Sequence, residues 1–86
     1  MTTTTDTTTR TLSTIAAEIR SDWRAPYFGA APYIDAMSAL SGVGDSYGAE
    51  RGAGIVLYFL SNAATWRGDT ARRIKAELKA MIKAGA

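Results

Sequence analysis

Carboxylates, hydroxyls and a row of basic side chains are all the reactive chemistry this chain offers, because its 86 residues include neither cysteine nor histidine. Disulfides, Cys/His zinc sites and thiol or imidazole catalysis are therefore excluded together. Ser41, Ser46 and Ser61 have no imidazole to activate them. Asp22, Asp35, Asp45 and Glu50 each fall where a helix cap or a solvated surface accounts for them, not in the converging pair that general acid–base chemistry needs. No catalytic residue, metal ligand or cofactor is expected, and the chain reads as non-enzymatic. The stretch GVGDSYGAERGAG invites comparison with phosphate loops through Gly48, Gly52 and Gly54. It lacks GxxxxGK[ST], and no strand with the dinucleotide fingerprint precedes it. The plainer reading is a connection whose small residues let another backbone come close. Arg67-Gly68-Asp69 matches a cell-adhesion tripeptide, but here it serves as lead-in and cap to a helix.

Charge is divided unevenly. Residues 1–66 hold four arginines against six acids, whereas residues 67–86 hold six basic residues against Asp69 and Glu77. Within that last segment Arg72, Lys75, Lys79 and Lys83 recur every three or four residues, which places like charges along one flank of a helix where they repel mildly. Basic residues near a helix C-terminus also answer its dipole, so a solvated outer face explains the row. The alternative is a DNA-binding accessory protein whose phosphate contacts come from Arg72, Lys75, Lys79 and Lys83. A helix-turn-helix is poorly served, because the second helix offers only Thr70, Arg72 and Arg73 for base reading.

These side chains need elements to hold them, and the apolar periodicity supplies four helices. Leu12, Ile15, Ala16, Ile19 and Trp23 recur at helical spacing; Thr11 or Ser13 can cap that first helix, and Pro26 ends it. Pro32 suits the first position of a second helix, near 32–41, with Asp35 in its first turn, the stripe Tyr33, Ile34, Met37, Leu40 on one side, and Gly42 as its stop. Tyr27 and Phe28 in the connection between them read as a plug for the bundle edge. Asp45 or Ser46 offers a cap to a third helix. The last helix, near 69–83, starts on Asp69 or Thr70 and shows Ala71, Ile74, Leu78, Met81 and Ile82 on one face, with Asp69 and Arg73 as a pair four apart. MTTTTDTTTR is too polar to bury and has no apolar run behind a basic start. Residues 1–10 are expected to be a disordered tail and residues 11–86 one helical domain, with a cytoplasmic location as the default.

The third helix, from about 49 to 64, raises the main question. GAGIVLYFLSNAA is its centre, and Ile55 to Leu60 have no polar face. Fifteen uncharged residues from Gly52 to Trp66 are too few for a membrane span, which needs about 20. A single strand would have no apolar partner elsewhere in the chain. A helix satisfies its own backbone, but one that is apolar all round must be covered all round, and so little chain leaves part of it for another molecule. Leu57, Tyr58 and Trp66 are the expected contact residues. The expected core is Leu12, Ile15, Ile19, Trp23, Tyr33, Met37, Leu40, Ile55, Val56, Phe59, Leu60, Ile74, Leu78 and Met81. The fold expected is all-α, a small four-helix domain around a central apolar helix.

Taken together, IAAEIRSDW, YFGAAPYIDAM and IVLYFLSNAATWRGDTARRIKAELK resemble a family of short proteins encoded in actinobacterial phages, prophages and other mobile elements. The likeness spans about residues 12–83 and rests most on Ile55 to Lys79. The family is uncharacterised, so the resemblance transfers no residue role. It implies an accessory phage or host-interaction protein; joined with the over-apolar helix, the expectation is a small cytoplasmic protein of a bacterial host that self-associates, as a dimer, and binds a host protein.

Overall fold

The computed structural model describes residues 10–85. The chain is mostly helical: α1 (Leu12–Asp22), α2 (Ala31–Met37), a hairpin of two-residue strands β1 (Ser46–Tyr47) and β2 (Glu50–Arg51), then α3 (Gly52–Ser61) and α4 (Asp69–Gly85). Helix α2 packs between α1 and α3, and α4 lies against α1 and α3. The expected disorder of residues 1–9 lies outside the described residues. Arg10, drawn into that tail on sequence, belongs instead to the folded body, where its guanidinium joins two helices.

Each N-terminal amide of α1 can be followed to its partner. Thr11 is the cap, and its Oγ1 accepts from the Thr14 N–H at 3.1 Å. The Leu12 and Ser13 amides donate to the carbonyls of Ser41 and Leu40, both at 2.9 Å, and Ile15 returns to Thr11 at 3.0 Å. The segment after α2 thus satisfies groups that a helix start leaves orphaned. The same segment supports α3, where the Gly52 amide donates to the Asp45 carbonyl at 2.7 Å and the Ala53 amide to the Val43 carbonyl at 2.9 Å. Such close approach requires glycine. A Cβ on Gly52 would lie 2.7 Å from the Gly42 carbonyl oxygen, which bears out the reading of these small residues as permitting backbone contact.

The all-α expectation needs one correction, the hairpin. Ser46 pairs with Arg51 and Tyr47 with Glu50, closing a two-residue loop in which Gly48 has φ 64 and Ala49 has negative φ, as a type II′ turn has. Glycine supplies the positive φ, and the hairpin takes residues 49–51 out of the expected third helix. That helix also stops early, at Ser61. The Ser61 hydroxyl donates to the Leu57 carbonyl at 3.0 Å and the Asn62 side-chain Nδ2 to the Tyr58 carbonyl at 2.8 Å, the local bonds with which these residue types compete against helix. Helix α2 ends at Met37, short of Gly42, and tighter turns carry the chain on to Leu40. Asp45 does not cap α3 as expected: its carboxylate accepts from the Ser41 and Gly42 amides at 2.9 and 3.2 Å.

The core is one cluster. Leu12, Ile15, Ala16 and Ile19 of α1 meet Ile34 and Met37 of α2, Ile55, Val56 and Phe59 of α3, and Ile74 and Leu78 of α4. Trp23, Tyr33, Leu60 and Met81, also expected inside, are half-buried and packed against it. A polar strap closes the α1–α4 seam. Arg10 clasps Glu77 with two hydrogen bonds, at 2.7 and 3.0 Å, and reaches Glu18 at 2.7 Å, while the other oxygen of Glu18 takes Arg73. Arg73 is therefore not paired with Asp69 as expected; Arg72 is, at 2.9 Å. The Arg10 bonds come first, and those of Arg73 second, in holding the Glu18 carboxyl below the usual carboxylate range.

Candidate interaction surface

Residues 55–60 of α3 divide by direction. Ile55, Val56 and Phe59 point into the core and Leu60 is half-buried, while Leu57 and Tyr58 stand 53% and 50% exposed. Helical geometry makes the split unavoidable, since consecutive residues lie about 100° apart and the neighbouring helices cover only part of the circumference. The Tyr58 ring is held from one side by Tyr33 of α2, with centroids 5.5 Å apart and planes at 29°. One turn further on, Ser61 and Asn62 have turned their polar groups back onto the carbonyls of Leu57 and Tyr58, which lowers the polarity of the surface between them.

The apolar surface continues beyond the helix end. Tyr27 lines a hollow with Ser61 and Asn62. A Cβ on Gly29 would stand 2.5 Å from the Tyr27 ring and 2.9 Å from the Asn62 Oδ1, so glycine lets the 27–29 turn lie flat against α3. Phe28 packs on Tyr27 with centroids 4.8 Å apart, and it is 81% exposed. Tyr27 and Phe28 therefore do not plug the bundle edge as expected; they extend the α3 face outward. Leu57, Tyr58, Tyr27 and Phe28 together expose on the order of 400 Å², taking about 150–250 Å² for a whole aromatic side chain. That is the size of the largest apolar patch on an ordinary monomer, about 300–600 Å², and roughly half of the ~800 Å² each partner contributes to a standard interface.

Trp66 requires a correction. Expected on the contact surface, it is 3% exposed. Its indole stacks on Trp23 with centroids 5.7 Å apart and planes at 6°, meets Phe59 edge-on at 6.2 Å, and donates through Nε1 to Asp22 at 2.8 Å. A buried tryptophan N–H needs such a partner. Reading Trp66 as the end of an uncharged run hid this role, because the chain turns after Asn62 and brings the ring back over α1.

The basic row is also reshaped. Lys75 turns toward Trp66, donating to its carbonyl at 2.7 Å with the ammonium 6.0 Å from the ring centroid. Desolvation chiefly, then Lys79 and Arg67, pull the Lys75 ammonium below its ordinary pKa. Arg72, Lys79 and Lys83 are exposed. Among the described residues no group of three acids could hold a metal ion, and no helix is long and apolar enough to cross a membrane. No protein-family model, curated protein or solved structure matches the chain.

Proposed function

We infer that the protein is a small non-enzymatic accessory protein that pairs with a second copy and engages a host protein through an apolar helical surface. The observation that carries this reading is the exposure of Leu57 and Tyr58 in the middle of an apolar helix, continued by Tyr27 and Phe28. Exposed aromatic side chains clustered on one face are the residue type that supplies most binding energy in protein interfaces, because they bury large area at small entropic cost. The mechanism is occupation: the face covers part of a partner and obstructs or redirects it, with no bond made or broken. The phage-like role rests on the family likeness of the segment Ile55 to Lys79.

Site-directed photo-crosslinking tests this. A crosslinking phenylalanine analogue in place of Leu57 or Phe28 should join two copies of the chain, and the same analogue in place of Ala76, an exposed residue of α4, should not. Equal crosslinking from both faces, or none from either, would count against the reading.

A further inference from the structure

The flank of the molecule around the start and middle of α4 is chemically unlike the α3 face. Arg67, Arg72 and Lys75 line an open hollow of about 370 Å³ at the joint between Trp66 and α4. Lys79 and Lys83 continue the line along the helix, each step of four residues advancing about 6 Å, so the row from Lys75 runs for about 12 Å. Among the described residues the one carboxylate paired with this group is Asp69, through Arg72. Arg73 and Arg10, by contrast, are spent on Glu18 and Glu77 at the α1 seam. The hollow and row therefore carry five positive charges against one negative. Lys75 spends one of its three N–H donors on the Trp66 carbonyl and keeps two for another acceptor.

We propose that Arg67, Arg72, Lys75, Lys79 and Lys83 form a sequence-independent docking surface for the phosphate backbone of duplex nucleic acid. A line of cations about 12 Å long fits a repeating polyanion better than a single phosphate. None of the large exposed apolar side chains of the described residues, Tyr27, Phe28, Tyr47, Leu57 and Tyr58, lines this hollow. A lipid surface would want such anchors beside the lysines, whereas backbone phosphates want charge alone. Sequence reading is not part of the proposal. The first helical residue is Asp69, whose exposed carboxylate would repel a groove, so α4 meets the duplex by its side and not by its N-terminus.

The test is anisotropy of a labelled duplex of arbitrary sequence, titrated with the full chain at several salt concentrations. Binding should weaken with salt along a log–log slope of about −0.9 for each phosphate neutralised, giving roughly −3 to −4 here. Arg67→Glu with Lys79→Glu should weaken binding at least tenfold. Arg24→Glu with Arg51→Glu alters net charge equally at exposed positions off the row and should change it far less. Circular dichroism checks that both double variants stay helical. The proposal fails if the duplex is not retained at low salt, if the two double variants lose binding equally, or if anionic phosphatidylserine vesicles bind while the duplex does not.

Discussion

Helices α3 and α4 bury similar stripes yet turn opposite surfaces outward. Inward, Ile55, Val56 and Phe59 of the one and Ile74 and Leu78 of the other meet in a single core. Outward, α4 shows arginines and lysines that water solvates well, while α3 shows Leu57 and Tyr58. An isolated domain gains nothing by wetting a leucine and a tyrosine side by side. Surface apolar residues scattered singly need no explanation, but here Tyr27 lines a hollow with Ser61 and Asn62 one turn beyond the pair, Phe28 packs on Tyr27, and Tyr33 stacks on Tyr58. The proposed pairing rests on this contrast: water solvates the outward charges of α4, whereas Leu57 and Tyr58 of α3 are the side chains a partner would cover.

Substitutions should sort by that contrast. The largest loss is expected at Phe59, fully buried between Trp23 and Trp66: Phe59→Ala should lower the unfolding free energy in urea by about 3–5 kcal/mol. Gly52→Ala comes next at about 1–3 kcal/mol, since the new methyl meets the Gly42 carbonyl at 2.7 Å and backbone must move. A smaller effect belongs to the polar strap, where Arg10→Ala should cost about 1 kcal/mol. The strap also fixes an acid dependence. Glu18 is held below its ordinary pKa by Arg10 and then Arg73, so its contribution is full above the unfolded carboxylate value, about 4.3, and is lost as pH falls through the folded value. Urea midpoints measured from neutral to acid pH should fall less steeply for Glu18→Gln than for the parent chain. Least disturbed of all should be the monomer carrying Leu57→Glu, within about 0.5 kcal/mol of the parent fold, because that side chain is half exposed; Tyr58→Glu also gives up the stack on Tyr33, about 0.5–1.5 kcal/mol.

The helical stripes were legible because burial follows the 3.6-residue period: Leu12, Ile15, Ile19, Ile74 and Leu78 sit where their spacing puts them. Helix ends were less so. Ser61 and Asn62 end α3 through bonds from their own side chains, and Gly48 opens a hairpin, so local hydrogen bonding and a single positive φ outweighed an apolar run that reads onward in both directions. Arg10 hides among threonines because its partner Glu77 lies 67 residues away. The surface was half visible. Leu57 and Tyr58 follow from an apolar run too complete to cover, but Trp66 and Phe28 exchanged places: the loop after α3 folds Trp66 inward over Trp23, and the flat turn at Gly29 holds Phe28 out. Periodicity carries no information about loops, where tertiary contacts decide which aromatic is wetted.

The most direct test is the solution mass of the chain by light scattering across a concentration series. The account predicts a species at twice the 9.2 kDa chain mass for the parent, reverting to the single-chain mass for Tyr58→Glu with its helical spectrum unchanged. A parent chain that stays at 9.2 kDa at its highest soluble concentration, or a dimer that survives Leu57→Glu and Tyr58→Glu together, would contradict it.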